Sequence, residues 1–334
     1  MANRIFYAVQ QVAIDGNRDG TFLTLKGVQS VSMTTTFNLE QAFELGQLEI
    51  YENIEGVPSI DMTISRLLDG NALAYVVAAG GYANAADINK ASQNVFDVRL
   101  GIWDEANTSS ANGNPTNQVT LKNAVLSNVS YTFGVDGNFT EEIQLSCNNK
   151  AWFSGCTSAT WANAYQAGSF AGNNDTPAFA GGVQRREFLN RTSSSWPTII
   201  PEASGRIQNV TISAAFGRED LFELGRKGPF AKVATFPLEV TCSIEVISSG
   251  GDLVNAVESG CASYIQCTGV SNLTNQTIKI VTCDGTVVDL GNKNKLSSVS
   301  YGGGDAGGGN VSQTYDFVTY NKLSVSGTAS VTGL

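Results

Sequence analysis

The chain has 334 residues, of which 42% are hydrophobic and 15% are charged, and its 30 acids against 20 bases give a net charge of −10 with no histidine. The acidic balance argues against a general nucleic-acid-binding surface. The missing histidine removes the commonest general base and transition-metal ligand, and a cysteine nucleophile or serine triad would lack its usual partner. We therefore expect no enzyme, no catalytic residues, no cofactor and no metal site.

The start of the chain and its cysteines both indicate synthesis in a reducing cytoplasm. Residues 1–7 lack the charged and then apolar pattern of a secretory signal. No apolar run approaches the ~20 residues of a membrane helix, so we expect no membrane insertion. The six cysteines show no Cys-x-x-Cys spacing, and a chain of this size does not need a disulfide framework. We interpret them as mostly buried thiols.

A long internal repeat organises the sequence. Residues 28–58 align without a gap with residues 207–237 at a constant offset of 179, and nine of the 31 positions are identical. A period this long indicates two whole domains of one fold rather than a solenoid. We place the first domain at residues 1–153, a linker rich in Gly, Ala and aromatic residues at 154–184, and the second domain at 185–334.

Each copy of the repeat begins with a predicted strand and continues into a shared motif. Apolar and polar residues alternate along 31–37 and in the same phase along 210–216, which is typical of a half-buried strand. The Phe-Glu-Leu-Gly motif then appears as Phe43, Glu44, Leu45, Gly46 and as Phe222, Glu223, Leu224, Gly225. It fits a core phenylalanine and leucine beside a turn, and its shared glutamate also fits a contact between subunits; both interpretations stay open.

Five acids surround the first copy of this motif, at positions 40, 44, 49, 52 and 55. A run of like charges usually forms a solvated face, so we favour a solvated or pore-facing strand over a catalytic carboxylate pair. Strand alternation would put Glu49 and Glu55 on one face, opposite Glu52. If this strand faces a pore, Glu49 and Glu55 would point into it together and make its wall net acidic.

The next elements of the two copies are a strand and a helix. Alternating residues 60–64 and 240–244 predict strands, and the offset of 180 there indicates one extra residue that fits a bulge. Helices of about two and a half turns are predicted from Asn71 to Gly80 and from Asp252 to Gly260, with N-cap and C-terminal glycine signals. Further strands follow at 96–102 and near 278–280.

The later part of each copy contains a second match. Residues 126–131 (LSNVSY) correspond to 296–301 (LSSVSY) at an offset of 170, so the first copy has extra residues, which we assign to loop 104–118. A hairpin turn follows at 134–138 in one copy, and the longer glycine loop 302–310 follows in the other. We expect loops 104–118 and 302–310 to become ordered only when one assembly of copies stacks on the next, whereas the aromatic residues of 151–184 should contact a neighbouring domain or subunit.

Residues 37–70 resemble the tail tube proteins of tailed bacteriophages. The resemblance lies in an ordered combination: the FELG turn, the YENI strand, a strand started by proline and the helix after LDG. It implies a mainly β chain of two tandem tail-tube-like β-sandwich or barrel domains, each with one short flanking α-helix. The second copy resembles the family more weakly, because it lacks the acidic YENI strand and the LDG sequence.

The resemblance also implies a function as a structural virion protein. In that family, inner strands join around a channel, and rings with six tube domains stack into a tube. Two fused domains would close the same ring with three chains, so the expected partners are further copies of the chain, a sheath, a terminator and baseplate proteins. Genomic DNA would pass through without specific binding. The expected location is the virion tail, after assembly in the cytoplasm of a bacterial host.

Two alternative functions stay open on the sequence. One is another phage tail component with the same fold, such as a terminator or a baseplate hub. The other is an unrelated β-sandwich module that binds carbohydrate, which would be monomeric and would expose an aromatic platform instead of paired strand edges.

Overall fold

The computed structural model describes residues 5, 10–80, 85–103, 115–154, 182–200, 206–248, 250–251, 254, 275–302 and 309–327. The protein is mainly β, with 57% strand and 6% helix, which confirms the predicted fold class. Among the described residues, no helix has the length and apolarity needed to cross a membrane. The helix predicted at Asp252, most of loop 104–118, residues 303–308 and linker residues 155–181 lie outside the described residues.

The first half of the chain contains most of the described elements. They are β1 (Gln10–Asp15), β2 (Leu23–Thr24), β3 (Val28–Thr36), β4 (Leu39–Phe43), β5 (Ile50–Glu55), β6 (Ser59–Leu67), α1 (Ala74–Ala78), β7 (Ala85–Asp87), α2 (Ile88–Gln93), β8 (Phe96–Ile102), β9 (Asn117–Gly134), β10 (Thr140–Cys147) and β11 (Asn149–Ser154). Residues 151–154 begin the segment expected to contact a neighbour, and they belong to a strand, because β11 pairs with β9.

The second half repeats much of this strand content. Its elements are a 3-10 turn (Arg186–Phe188), β12 (Ile207–Ala215), β13 (Arg218–Leu221), β14 (Ala231–Ala234), β15 (Glu239–Ile247), β16 (Lys279–Val281), β17 (Val287–Asp289), β18 (Lys295–Gly302), β19 (Ser312–Tyr320) and β20 (Ser324–Ser326). The turn at Asp284-Gly285 joins the antiparallel strands β16 and β17.

Eight strands form one continuous antiparallel sheet through both halves, in the order β18-β19-β15-β12-β9-β10-β6-β3. The first four belong to the second half and the last four to the first half. Since β12 corresponds to β3 and β15 to β6 in the repeat, each half contributes its strands in the same order. The two halves meet where β12 pairs with β9.

The pairing of each half is interrupted at matching residues. The ladder between β3 and β6 skips Gln29, and the ladder between β12 and β15 skips Gln208. Likewise, β9 skips Ser127 against β10, and β18 skips Ser297 against β19. The first pair is 179 residues apart and the second 170, which are the two offsets seen in the sequence.

The one-residue slip near position 60 has a different origin from the bulge we expected. Ser59 follows Pro58 directly and begins β6, whereas Leu238 separates Pro237 from the start of β15 at Glu239. The extra residue therefore lies in the connection before the strand, and the pairing of β12 with β15 continues without a break at this end.

A second layer covers the apolar face of the large sheet. Strand β9 is 18 residues long, and its first part leaves the large sheet to pair with β8 and β11, while β1 pairs with β8 and β2. In the second half, β16, β17 and β20 form the corresponding sheet, and β7 from the first half extends it. Buried alternate residues, such as Ile60, Met62 and Ile64 of β6, fill the core between the layers.

Helix α1 is shorter than the sequence predicted. Asn71 does not cap it; its side-chain amide donates to Asp69, and the helix begins at Ala74 instead. The carboxylate of Glu141 accepts hydrogen bonds from the backbone N–H groups of Ala74 and Tyr75, at 2.9 and 3.0 Å. A glutamate 66 residues away thus supplies the first-turn acceptor that a local cap would otherwise provide.

Glu141 is also the centre of a buried polar network. Its side chain and that of Arg66 are both fully buried, with 3.7 Å between Oε2 and Nη1, and Arg66 also donates to Asp69 at 2.7 Å. The Tyr131 hydroxyl donates to Glu141 at 2.9 Å. Burial and then the charge of Glu141 raise the pKa of Tyr131 well above its usual value, so this hydroxyl stays protonated and keeps donating.

Candidate assembly interface

The junction between the halves is a backbone ladder with a packed apolar side. Seven residue pairs join β12 to β9, from Asn209 opposite Gly134 to Ala215 opposite Asn128. The core-facing residues of both strands are buried, including Ile212 and Tyr131, which lie opposite each other. The ladder and the apolar side chains together make the two halves one continuous sheet.

Phe216 and Arg218 extend this junction beyond the end of β12. Phe216 is fully buried, and its N–H donates to the carbonyl of Ser127 at 3.0 Å. Arg218 lies with its guanidinium carbon 5.4 Å from the Phe216 ring centroid and donates to the carbonyls of Leu126 and Ser92, both at 2.6 Å. Burial lowers the pKa of Arg218 to about 10, so the side chain remains charged at neutral pH.

We expect Arg218→Ala to lower the free energy of unfolding by about 1–3 kcal/mol, because it leaves two junction carbonyls without their donor. Urea unfolding followed by circular dichroism measures this. Arg226→Ala is the matched control, because Arg226 lies in the same hairpin and its pair with Glu223 is more than half exposed; we expect a change within about 0.5 kcal/mol. Equal effects of the two substitutions would contradict the role assigned to Arg218.

The two ends of the large sheet are open edges. Among the described strands, β3 pairs only with β6 and β18 only with β19. Phe37, which corresponds to Phe216, is 70% exposed, and Tyr301, which corresponds to the buried Tyr131, is 55% exposed. Large apolar side chains beside unpaired backbone groups form a surface suited to strand pairing.

A second edge without a partner among the described strands lies in the other layer. Strand β11 pairs with β9, and β20 pairs with β17, in corresponding positions of the two halves. Val325 of β20 is fully buried in the hydrophobic core, and β7 covers the outer edge of that strand, with Ala86 opposite Val325. The corresponding Phe153 of β11 is 50% exposed.

The Phe-Glu-Leu-Gly motif forms the tips of two hairpins. Strands β4 and β5 form one, and β13 and β14 form the other. Leu45 and Leu224 are fully exposed, so the interpretation of a core motif is wrong, because the tips project beyond any packed layer. The motif's last residues, Gly46 and Gly225, have φ of +96° and +87°, a conformation that favours glycine at this turn.

The acids predicted to face a channel lie on the first hairpin. Glu49 directly precedes β5 and Glu55 ends it, and both are exposed. The Glu55 carboxylate lies 3.9 Å from the Lys227 ammonium group of the second hairpin. The tip of the second hairpin therefore lies beside the end of β5 in the first hairpin. The pairing of β4 with β5 skips Tyr51, so the uninterrupted alternation that was expected to put Glu49 and Glu55 on one face is wrong. The placement of these acids on a channel wall stays a prediction.

The large sheet itself presents a polar face that the sequence reasoning missed. Opposite the core, its strands carry mostly hydroxyl and amide side chains: Thr63, Ser65, Asn128, Ser130, Thr132, Gln144, Thr211, Ser213, Thr241, Ser243, Ser298, Ser300 and Thr314. Its acids are Asp61, Glu142, Glu239, Glu245 and Asp316. Within the described residues, Lys295 at the end of β18 is the base that accompanies them.

This face could have been found from the alternation already used to predict strands. The polar residues between Ile60, Met62 and Ile64 are its members in β6. What the sequence does not reveal is the order of the strands, and only that order brings Glu142 and Asp316 onto one surface.

Comparisons with known proteins give partial matches. No family model and no curated protein matches the chain. Among solved structures, the tube-terminating cap of the anti-feeding prophage matches with 17% identity and a TM-score of 0.34, covering 46% of this chain and 93% of its own. The baseplate of the anti-feeding prophage matches with 13% identity and a TM-score of 0.32, covering 46% of this chain and 98% of its own. The sheath–tube complex of an extracellular contractile injection system matches with 15% identity and a TM-score of 0.33, covering 45% of this chain and 92% of its own. At these TM-scores the likeness assigns no function.

Proposed function

We propose that this chain is a structural subunit of a phage-tail-like tube. Copies join head to tail into a closed ring, and the rings stack into a conduit. The carrying observation is the junction between β12 and β9, because it already joins one half to the next through edges that recur at both ends of the sheet.

The internal junction gives the register of the proposed contact between chains. Ile212 lies opposite Tyr131. Met33 corresponds to Ile212 at the offset of 179, and Tyr301 corresponds to Tyr131 at the offset of 170, so Met33 would lie opposite Tyr301 of the next chain. By the same arithmetic Thr35 would lie opposite Val299 of the next chain. The β3 edge of one chain would thus pair antiparallel with the β18 edge of its neighbour.

The exposure contrasts support this pairing. Phe37 and Tyr301 are exposed in the single chain, whereas their counterparts Phe216 and Tyr131 are buried at the internal junction. Phe153 of β11 differs in the same way from Val325. Pairing of the open edges with further copies would bury these side chains and remove edges that otherwise favour aggregation.

The polar face of the sheet suits the wall of a conduit. It combines hydroxyl and amide groups with several carboxylates, and Lys295 is the base that accompanies them among the described residues. Negative charge repels phosphate, so DNA would pass along such a wall without binding to it. A ring of three chains, with six halves, follows from the tail-tube resemblance.

A measurement of particle mass and shape tests the proposal. Purified chain is examined by mass photometry and negative-stain electron microscopy over a range of concentrations. We expect closed rings of three chains and longer tubes of stacked rings. Rings without tubes would favour a terminator-like component, whereas a stable monomer at high concentration would overturn the proposal and favour a binding module.

A further inference from the structure

The two hairpin tips and the opposite end of the sheet have complementary surfaces. Strand β3 runs from Val28 to Thr36 and β12 from Ile207 to Ala215. The hairpins follow Thr36 and Ala215, so we call that end of the sheet the hairpin end. We call the end at Val28 and Ile207 the pocket end. When rings stack in one direction, the hairpin end of one ring meets the pocket end of the next.

The hairpin tips carry apolar groups beside a carboxylate. Phe43 and Phe222 are more than half exposed, and the leucines two positions later are fully exposed. Glu44 and Glu223 lie between them in both copies, and Glu223 also lies 3.6 Å from Arg226 in an exposed pair. An exposed phenylalanine and leucine on one turn form a compact apolar projection, for which solvent exposure is unfavourable.

A pocket at the other end has the opposite character. Phe133, Phe139 and Trp196 line it, and Ile207 at the start of β12 forms part of its wall. The Trp196 indole N–H is buried and has no hydrogen-bond partner. A buried donor without a partner is costly, and an incoming carboxylate oxygen would satisfy it.

Two arginines lie at the same pocket. Arg186 and Arg191 both line it and both are exposed. Within the part of the chain that the structure describes, neither forms an ion pair. The pocket therefore offers an apolar lining with two cationic side chains, which complements an apolar tip that carries a glutamate.

A related groove lies at the open edge. It is lined by Val28 to Val31 of β3, which correspond to Ile207 to Val210 of the first pocket, together with Val12, Leu25 and Lys26. A second copy pairing with β3 would complete its wall, just as Phe133 of the first half completes the pocket beside β12. Each half thus contributes one tip and the beginning of one pocket.

We propose that the tips of one ring insert into the next ring. At the pocket beside β12, the leucine of a tip contacts the aromatic lining and Glu44 or Glu223 pairs with Arg186 and Arg191, and the groove beside β3 receives the other tip. The occupant is a second copy of this chain, and the inference rests on the proposed ring. It specifies which surfaces stack, whereas the ring itself depends on the strand edges.

Charge reversal tests the pairing in the full-length chain. One double variant is Glu44→Arg with Glu223→Arg, and the other is Arg186→Glu with Arg191→Glu. We expect each to form rings of normal mass but to raise the concentration needed for tube growth about tenfold or more, equivalent to ~1.4 kcal/mol. The variant that combines all four substitutions should recover tube growth, because the pair is restored with reversed polarity.

Glu40→Arg with Glu219→Arg is the matched control, because these acids are exposed at corresponding positions of the same hairpins but lie away from the tips. It should grow tubes normally. Normal tube growth by either double variant would overturn the inference while leaving the ring intact. So would a variant with all four substitutions that grows tubes no better than the double variants. Failure of the wild-type chain to form rings would instead overturn the proposed function.

Discussion

Thr35→Pro is expected to abolish ring assembly while the subunit stays folded. The Phe216 N–H donates across the internal junction, and N–H groups alternate in direction along a strand, so the N–H groups of residues 210, 212 and 214 point the same way. Thr35 corresponds to residue 214, and its N–H therefore points to the open edge. Proline there removes a donor that faces solvent in the subunit, where the edge position tolerates it.

In the proposed ring, the same substitution should block the contact between chains. It leaves an acceptor on β18 of the neighbour unpaired, which costs about 1–3 kcal/mol, and the proline ring obstructs the approach of that strand. We expect the concentration for half-assembly to rise about 100-fold or more, equivalent to ~2.7 kcal/mol. Mass photometry measures the assembly, and circular dichroism checks the fold.

Thr34→Pro is the control for this experiment. The N–H of Thr34 points inward to β6, so proline removes a bond within the subunit and should lower its melting temperature. The side chain of Thr35 also accepts a hydrogen bond from Lys150, and Thr35→Val reports the effect of losing that bond alone. Ring formation by Thr35→Pro at wild-type concentrations would exclude β3 as the contact edge.

Glu141→Gln is expected to lower the free energy of unfolding by about 3–5 kcal/mol, because it removes the carboxylate that faces the buried Arg66 guanidinium. The amide also cannot accept at both oxygen positions, so one of the N–H groups at the start of α1 loses its acceptor. Urea unfolding of the non-assembling Thr35→Pro subunit separates this effect from assembly.

Glu142→Gln provides a closely matched comparison. Glu142 is the next residue of β10, but it lies on the polar face, where the Gln144 amide donates to it at 3.2 Å. We expect a change within about 0.5 kcal/mol. Similar losses for the two substitutions would mean that the buried pair contributes no more than a surface carboxylate.

Local sequence patterns predicted the strands but not their surroundings. Alternation along 31–37 and 210–216 predicted two equivalent strands, and both exist as β3 and β12. Yet Phe37 is exposed and Phe216 buried, although the residue and its local pattern are the same. The difference arises from β9, which follows β12 in the sheet order and has no described counterpart beside β3.

Helix α1 and the polar face also depend on residues that are distant in sequence. The cap signal at Asn71 failed because Glu141, on a distant strand, supplies the acceptor at Ala74. The acids that the sequence reasoning selected, Glu49 and Glu55, are close in sequence, whereas Glu142 and Asp316 share a face only through strand order. Long-range pairing therefore decided both the helix boundary and the composition of the sheet surface.

In the proposed ring, the internal junction would also set one rotation between neighbouring halves. A head-to-tail contact repeated around an axis closes only when its rotation divides a full turn, and otherwise it generates an open helix. Six halves require about 60° at every step. Every second contact between halves is the junction of β12 with β9 within one polypeptide. Only the contacts between different chains are therefore free to depart from that rotation. In the proposed ring, the covalent chain would thereby bias curvature toward closure before any second molecule has arrived.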